Sequence, residues 1–334
     1  MKTLTRLAFL FALGIFTAHA DEAKVLRLGH FPNITHAQAL YAHATGEFEK
    51  AVGVPIQWST FNAGPSAIEA LFSDAIDATY IGPNPAINGY VKTEGEALRI
   101  IAGSASGGAA LVILSDAGIN SEKDFNDKTV ATPQLGGTQD VAARNWFQSK
   151  GYKLKEKGGN LTILPISNAD QLTLFQKKEI QGAWTVEPWV SRLEQEAHGK
   201  ILLEEKSLWP EGKYVTTHLI VSTKFLQKNP QMIRKLLAAH VDVTQKINKD
   251  KKAAGIILNR EIKTLTGKAL ADSVIESSLK RVDLTWDPIS SSLKKSAEEA
   301  HNAGFLRESP DLAKIYDLTI LNDVLKEKGL PSVQ

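Results

Sequence analysis

Ile76-Asp77-Ala78-Thr79-Tyr80-Ile81-Gly82-Pro83-Asn84-Pro85 runs a short apolar strand into a Gly, Pro and Asn corner and then directly into a helix, Pro85 to Val91. The same passage recurs at Gly29 to Ala37, Phe61 to Ser66, Thr132 to Thr138 and Trp184 to Trp189. Strand and helix alternating at this interval predict an α/β fold of parallel sheets covered on both faces. Each corner leaves unpaired backbone N–H groups at a helix N-terminus, and ligand sites in open parallel sheets lie at the carboxyl ends of strands. Several such corners facing one cleft make a concave site suited to a small anion.

Outward from that stretch, Val25 to His30 and Val54 to Phe61 read as strands, and Thr35 to Val52 has helical spacing in Ala39, Leu40, Ala44 and Phe48, with Thr35 placed as an N-cap. Pro65 opens a helix at its first turn, where its missing N–H costs nothing. Leu98 to Ala102 is a fourth strand, and the pattern restarts after the glycine-rich stretch Gly103 to Gly108. Ala110 to Leu114, Thr129 to Ala131, Leu161 to Pro165 and Gln181 to Trp184 are the strands of a second α/β unit, with helices from Thr138 to Lys150, Asn168 to Gln176 and Glu187 to Glu196 between them. Thr216 to Ser222 carries the chain back, and from Pro230 onward the pattern is almost wholly helical. The expected division is residues 21–106 in a first lobe, 107–215 in a second, and 216–334 returning to the first with a helical C-terminal extension. Two crossings, near 104–110 and 213–220, make a hinge and a cleft, and closure of one lobe on the other is the expected motion. A chain of 334 residues has the length for two such bodies.

Residues 1–20 read as a cleaved signal peptide: Lys2 and Arg6 form the positive end, Leu7 to Phe16 the apolar run, and Ala18-His19-Ala20 the small-residue cleavage site. The apolar run is too short to span a bilayer, which takes about 20 residues. The chain carries 39 Lys and Arg against 37 Asp and Glu, and without Lys2 and Arg6 the two counts are equal. A balanced charge argues against nucleic acid as a partner, since a phosphate-binding surface needs a basic excess. There is no cysteine, which excludes disulfides, thiol catalysis and a lipid-bearing Cys after the signal. A soluble, free periplasmic monomer is expected.

At the corners the sequence resembles the periplasmic substrate-binding proteins of ATP-binding-cassette (ABC) importers for sulfonates, taurine, nitrate and related small molecules. The residues that carry the resemblance are Arg27-Leu28-Gly29-His30-Phe31, Phe61-Asn62-Ala63-Gly64-Pro65 before Glu69-Ala70-Leu71, and Ile76 to Pro83. Thr132-Pro133-Gln134-Leu135-Gly136-Gly137-Thr138 and Ala183-Trp184-Thr185-Val186-Glu187-Pro188-Trp189 complete it, in order over roughly residues 25–225. The resemblance implies a type II periplasmic-binding-protein fold, capture of one small solute between the lobes, and delivery to a membrane permease. The sulfonate branch is favoured by the Ala-Gly-Pro and Glu-Pro-aromatic corners; nitrate, phosphonate and pyrimidine-type heterocycles are the alternatives. Relatives with synthase activity carry a cysteine-rich run that this chain lacks.

Gly136, Gly137 and Thr138 could hold a sulfonate oxygen at the start of their helix or simply make a tight turn. The Lys of a nucleotide loop is missing, which argues against nucleotide hydrolysis. Gly82 and Asn84 offer an amide and the next helix N-terminus, while Phe31, Asn33, Asn62 and Gly64 occupy the first two corners. Ser104 and Gly107 either donate hydrogen bonds or loosen the crossing. Trp184 could line a pocket for an organic tail, with only one of Trp184 and Trp189 facing the site. Glu187 fits the first turn of a helix on dipole grounds, or could pair with a substrate amino group such as taurine presents. His30, His36 and His43 raise a metal site as an alternative, weakened because all three are local. No Ser-centred elbow, His-Glu-x-x-His or dinucleotide fingerprint occurs, so neither a catalytic residue nor a cofactor is expected.

Overall fold

The computed structural model describes residues 23–334, and the expected signal peptide lies outside the described residues. Two mixed sheets organise the chain. The first contains β1 (Leu26–His30), β2 (Ile56–Thr60), β3 (Ala78–Ile81) and β4 (Leu98–Gly107). The second contains β5 (Ala109–Leu114), β6 (Thr129–Thr132), β7 (Thr162–Pro165), β8 (Gly182–Val186) and β9 (Gly199–Glu204). β10 (Val215–Ser222) and β11 (Val282–Leu284) return to the first sheet, giving the orders β11-β4-β10-β3-β1-β2 and β7-β6-β8-β5-β9.

The sheets are not wholly parallel, as the alternation alone predicts. β1 pairs in parallel with β2 and β3, and β6 with β7 and β8, as strands linked by crossover helices do. β10 lies antiparallel between β3 and β4, and β5 lies antiparallel between β8 and β9. These two strands carry the chain from one sheet to the other without an intervening α-helix: β4 turns directly into β5, and only the short 3₁₀ turns Glu205–Leu208 and Pro210–Gly212 lie between β9 and β10.

β4 also runs to Gly107, five residues past its expected end, so the glycine-rich stretch is strand rather than loop. Gly103 fits there because the segment after β11 crosses it: a Cβ on Gly103 would meet the Asp287 carbonyl oxygen at 2.0 Å. The turn into β5 is made by Gly107 and Gly108, both with left-handed φ (74° and 77°), a conformation costly for any residue with a Cβ. The expected helix from Thr35 to Val52 is broken at Gly46, also left-handed, into Ala37–Thr45 and Glu47–Val52. Thr35 caps nothing; it lies inside a short 3₁₀ turn, Ile34–His36.

Apolar residues cover both faces of both sheets. Leu26, Leu28, Tyr80 and Leu219 pack against Leu236, Leu237 and Val241 of the helix Pro230–Lys249. Phe125, Trp146, Phe147 and Trp184 fill one face of the second sheet, and Leu172, Phe175, Val190 and Leu193 the other. Among the described residues no helix is long and apolar enough to cross a membrane.

Candidate functional site

Corners from both sheets meet around one cavity. Its free volume is about 30 Å3, room for a water or two with the corners drawn together as they are here. The first sheet brings Phe31, Asn33, Asn62, Gly64 and Gly82 to it, and the second brings Pro133, Gly137, Thr138 and Asn168. The corners also bond to each other: Asn62 Nδ2 donates to the Pro133 carbonyl (3.0 Å), Ile34 N to the Glu187 carbonyl (3.0 Å), and Trp189 Nε1 to Asn33 Oδ1 (3.1 Å). The cleft is therefore closed in this structure.

Three helices start at the wall: Gly64–Phe72, Pro83–Lys92 and Thr138–Ser149. Their N-cap residues are Ala63, Gly82 and Gly137, none of which supplies a capping side chain. Ser, Asp or Asn is strongly preferred at an N-cap because its oxygen satisfies a first-turn N–H. This chain uses such caps away from these corners: Ser222 accepts from Phe225 N, and Asp250 from Ala253 N. Pro65, Pro83 and Pro85 have no N–H, so the first-turn donors left at the cavity are those of Gly64, Ser66, Asn84 and residues 138–140, together with the positive ends of the helix dipoles.

Thr138 completes that wall. Its Oγ1 is buried with no hydrogen-bond partner, a costly condition for a hydroxyl. It sits against Gly82 across the cleft, where a Cβ on Gly82 would approach Thr138 Oγ1 to 2.2 Å. Asn168, at the start of Asn168–Gln176, accepts from Thr185 Oγ1 (2.7 Å) through Oδ1, which leaves its Nδ2 as a donor. Among the described residues no Asp, Glu, Lys or Arg borders the cavity. Among the described residues the one titratable side chain there is His36, which burial holds neutral by pushing its pKa well below the ordinary imidazole value.

Of the residues singled out from sequence, Phe31, Asn33, Asn62, Gly64, Gly82, Gly137 and Thr138 line this cavity. Six do not. Asn84 turns away, its Nδ2 donating to the Ser296 carbonyl (2.9 Å) on the helix Ser290–Ala303. Ser104 donates to Gln38 Oε1 (2.8 Å) inside the first unit. Gly107 forms the turn into β5, and Gly136 is a left-handed turn residue whose N–H is held by Asp140 Oδ2 (3.0 Å). Trp184 is wholly buried in the second unit, its Nε1 donating to Glu205 Oε2 (2.7 Å).

Glu187 is wholly buried and its carboxylate is saturated by the chain itself. Oε1 accepts from Ser191 Oγ (2.9 Å) and Arg281 Nη1 (3.0 Å), and Oε2 from Ser191 N (3.1 Å) and Ser278 Oγ (2.9 Å). Burial raises its pKa and these donors oppose the rise. It ties the second unit to the helix Asp272–Arg281 and has no lone pair aimed at a solute.

Asn168, Thr216 and Thr217 line the cavity without having been picked as ligand residues, and so does His36, which the sequence raised only as a metal alternative. Thr35 and His36 lie within the corner Gly29 to Ala37, so position along the chain could have found them. Thr216 and Thr217 lie on β10, which carries no corner motif. Among the described residues no group of three or more His, Asp or Glu side chains is arranged to hold a metal, His30, His36 and His43 included.

Two α/β bodies joined by two crossings, with a cavity of helix N-termini between them, define a periplasmic-binding-protein fold. The chain belongs to the NMT1-like family, whose profile matches residues 19–259. It is 23% identical over 210 residues to the taurine-binding periplasmic protein of Escherichia coli (strain K12), a match spanning 62% of this chain and 62% of that protein. The fold superposes on the MOPS-bound alkanesulfonate-binding protein SsuA of Xanthomonas axonopodis pv. citri with a TM-score of 0.74 at 18% identity, covering 89% of this chain and 99% of that one. It also superposes on the periplasmic nitrate-binding protein NrtA of Synechocystis PCC 6803 with a TM-score of 0.75 at 16% identity, covering 93% and 92%.

Proposed function

We propose that this protein is the periplasmic solute-binding component of an ABC importer and that it captures a small organosulfur anion, an aliphatic sulfonate, in the cavity between its two sheets. The observation that carries this is the convergence of three uncapped helix N-termini and the unpartnered Thr138 hydroxyl on a cavity bordered by no charged side chain. Oriented N–H groups hold an anion without a basic field. A relative named as taurine-binding and a structural neighbour named as alkanesulfonate-binding support the same class. Taurine is the poorer fit, because its ammonium finds no carboxylate in the lining and Glu187 is already engaged.

Residues 21–106 and 216–334 act as one lobe and 107–215 as the other, hinged at Gly107-Gly108 and near the start of β10. Closure buries the anion, and the joined outer face is presented to the permease. The protein works as a monomer, binds without converting its solute, and reaches the periplasm through the cleaved segment 1–20.

A thermal-shift screen against alkanesulfonates, taurine, nitrate, phosphonates, divalent metals and pyrimidines tests this. A true ligand at 100 times its dissociation constant adds about 2.7 kcal/mol. Stabilisation by pyrimidines or metals alone, or consumption of a solute, would refute the sulfonate reading.

A further inference from the structure

We infer that His36 is a solute-binding residue: a fixed, uncharged imidazole that offers its Nε2–H to an oxygen of the bound anion. The inference rests on the anion-capture reading above and assigns within it a donor that is neither backbone nor hydroxyl.

The geometry is specific. Phe31 N donates to His36 Nδ1 (3.3 Å), and a nitrogen that accepts a hydrogen bond carries no proton, so the proton resides on Nε2. The ring is fixed by packing, with its centroid 4.3 Å from that of Phe31 and 6.2 Å from that of Tyr80. It borders the cavity, is 2% exposed, and makes no side-chain hydrogen bond other than the one from Phe31 among the described residues. The donor left over therefore belongs to the space the solute enters.

The surroundings explain why it stays uncharged. The ring is wholly enclosed, with His30 near it as a further potential cation, and both effects disfavour imidazolium. The positive ends of the helix dipoles around the cavity act in the same direction. The site thus gains a directional donor without a charge that would have to be desolvated each time the cleft empties and refills. Glu47 and Glu49, the acidic residues in the helix that follows, do not border the cavity, so no carboxylate competes for the Nε2 proton there.

Two measurements on the purified protein test this. Imidazole ¹⁵N NMR at pH 7 should show His36 as the neutral Nε2–H tautomer in the unliganded protein; an imidazolium or an Nδ1–H tautomer overturns the inference. Calorimetric titration with ethanesulfonate, taurine and nitrate then compares wild type with His36→Gln and His36→Phe. Losing a hydrogen bond to a charged group should weaken the bound probe about tenfold to a hundredfold in His36→Phe, which keeps the ring against Phe31. His36→Gln, whose amide nitrogen can stand in for Nε2, should stay within about threefold of wild type. Equal affinity in His36→Phe overturns the inference while leaving anion capture intact. A wild type that binds none of the three probes removes the functional reading instead, and the tautomer measurement still decides whether the fixed donor exists.

Discussion

Adding one methyl group at Gly82 should hold the two lobes apart without unfolding either. Gly82 has φ −72° and ψ 160°, so alanine fits its backbone without strain. The obstacle lies across the cleft: the new Cβ would stand 2.2 Å from Thr138 Oγ1 and 3.2 Å from Thr138 Cβ, against 3.4–4 Å for ordinary contact. Relief requires a shift of about 1 Å, and overpacking of this kind costs about 1–3 kcal/mol. The strain exists only in the closed state, so it should appear as about fivefold to 150-fold weaker solute binding with an unchanged thermal midpoint of the unliganded, open protein. Calorimetry measures the affinity, and small-angle scattering or a fluorophore pair on the two lobes measures closure. Gly103→Ala is the control, since its Cβ would strike the Asp287 carbonyl oxygen at 2.0 Å within the first unit, where opening brings no relief and the midpoint must fall. Combining Gly82→Ala with Thr138→Ala should restore closure. A Gly82→Ala protein that closes and binds like wild type refutes the idea that these two corners meet in the working closed state.

Thr138→Val replaces an unpartnered buried hydroxyl with a methyl group of similar volume, so the unliganded protein should be as stable as wild type or slightly more stable while sulfonate affinity falls about tenfold or more; paired melting and titration curves check the opposite signs. Glu187→Gln leaves Arg281, Ser191 and Ser278 facing an amide, and should lower stability by about 3 kcal/mol in denaturant melts, the lower end for a broken buried pair because Arg281 Nη2 keeps Glu194 (2.8 Å). Stability should peak near pH 6.5. Burial lowers His30, His218 and His240 to about 4, so the unfolded chain binds more protons below their ordinary value and stability falls as pH drops from 6.5 toward 4. Burial raises Glu205 and Glu299 to about 7, so the folded chain binds more protons between 4.5 and 7 and stability falls as pH rises through that window. The lowered histidines, His36 with these three, outweigh the raised carboxylates, Glu187 with these two, below 6.5, and the carboxylates dominate above it. Melts across pH 5–8 check the maximum, and Glu205→Gln should flatten its alkaline side.

The corners were legible because their chemistry is local. A Pro at the end of an apolar strand fixes its own backbone and a Gly frees its backbone to turn, and either opens the next helix whatever lies elsewhere, so Gly64, Gly82, Gly137 and Thr138 could be placed at strand-to-helix corners, which the structure sets at the cavity wall, from their immediate neighbours. Side-chain direction was not local. Asn84, in the first turn of its helix, is drawn off by Ser296, 212 positions along the chain. Trp184 is claimed by Glu205 and Glu187 by Arg281, partners that only the packed units bring near. A polar residue is turned by whichever donor or acceptor folding delivers, and a desolvated group cannot be left unmatched without cost.

The sequence by itself determined the α/β character, the two units, the helix N-termini that line the cavity and the absence of nucleotide-loop and thiol chemistry, because these follow from residue type and short-range spacing. Only the tertiary structure decided that β5 and β10 run antiparallel, bringing Thr216 and Thr217 to the cavity, and that His36 borders it as a neutral ring. Strand direction depends on how the chain crosses between sheets, and the state of an imidazole depends on how completely distant segments exclude water from it.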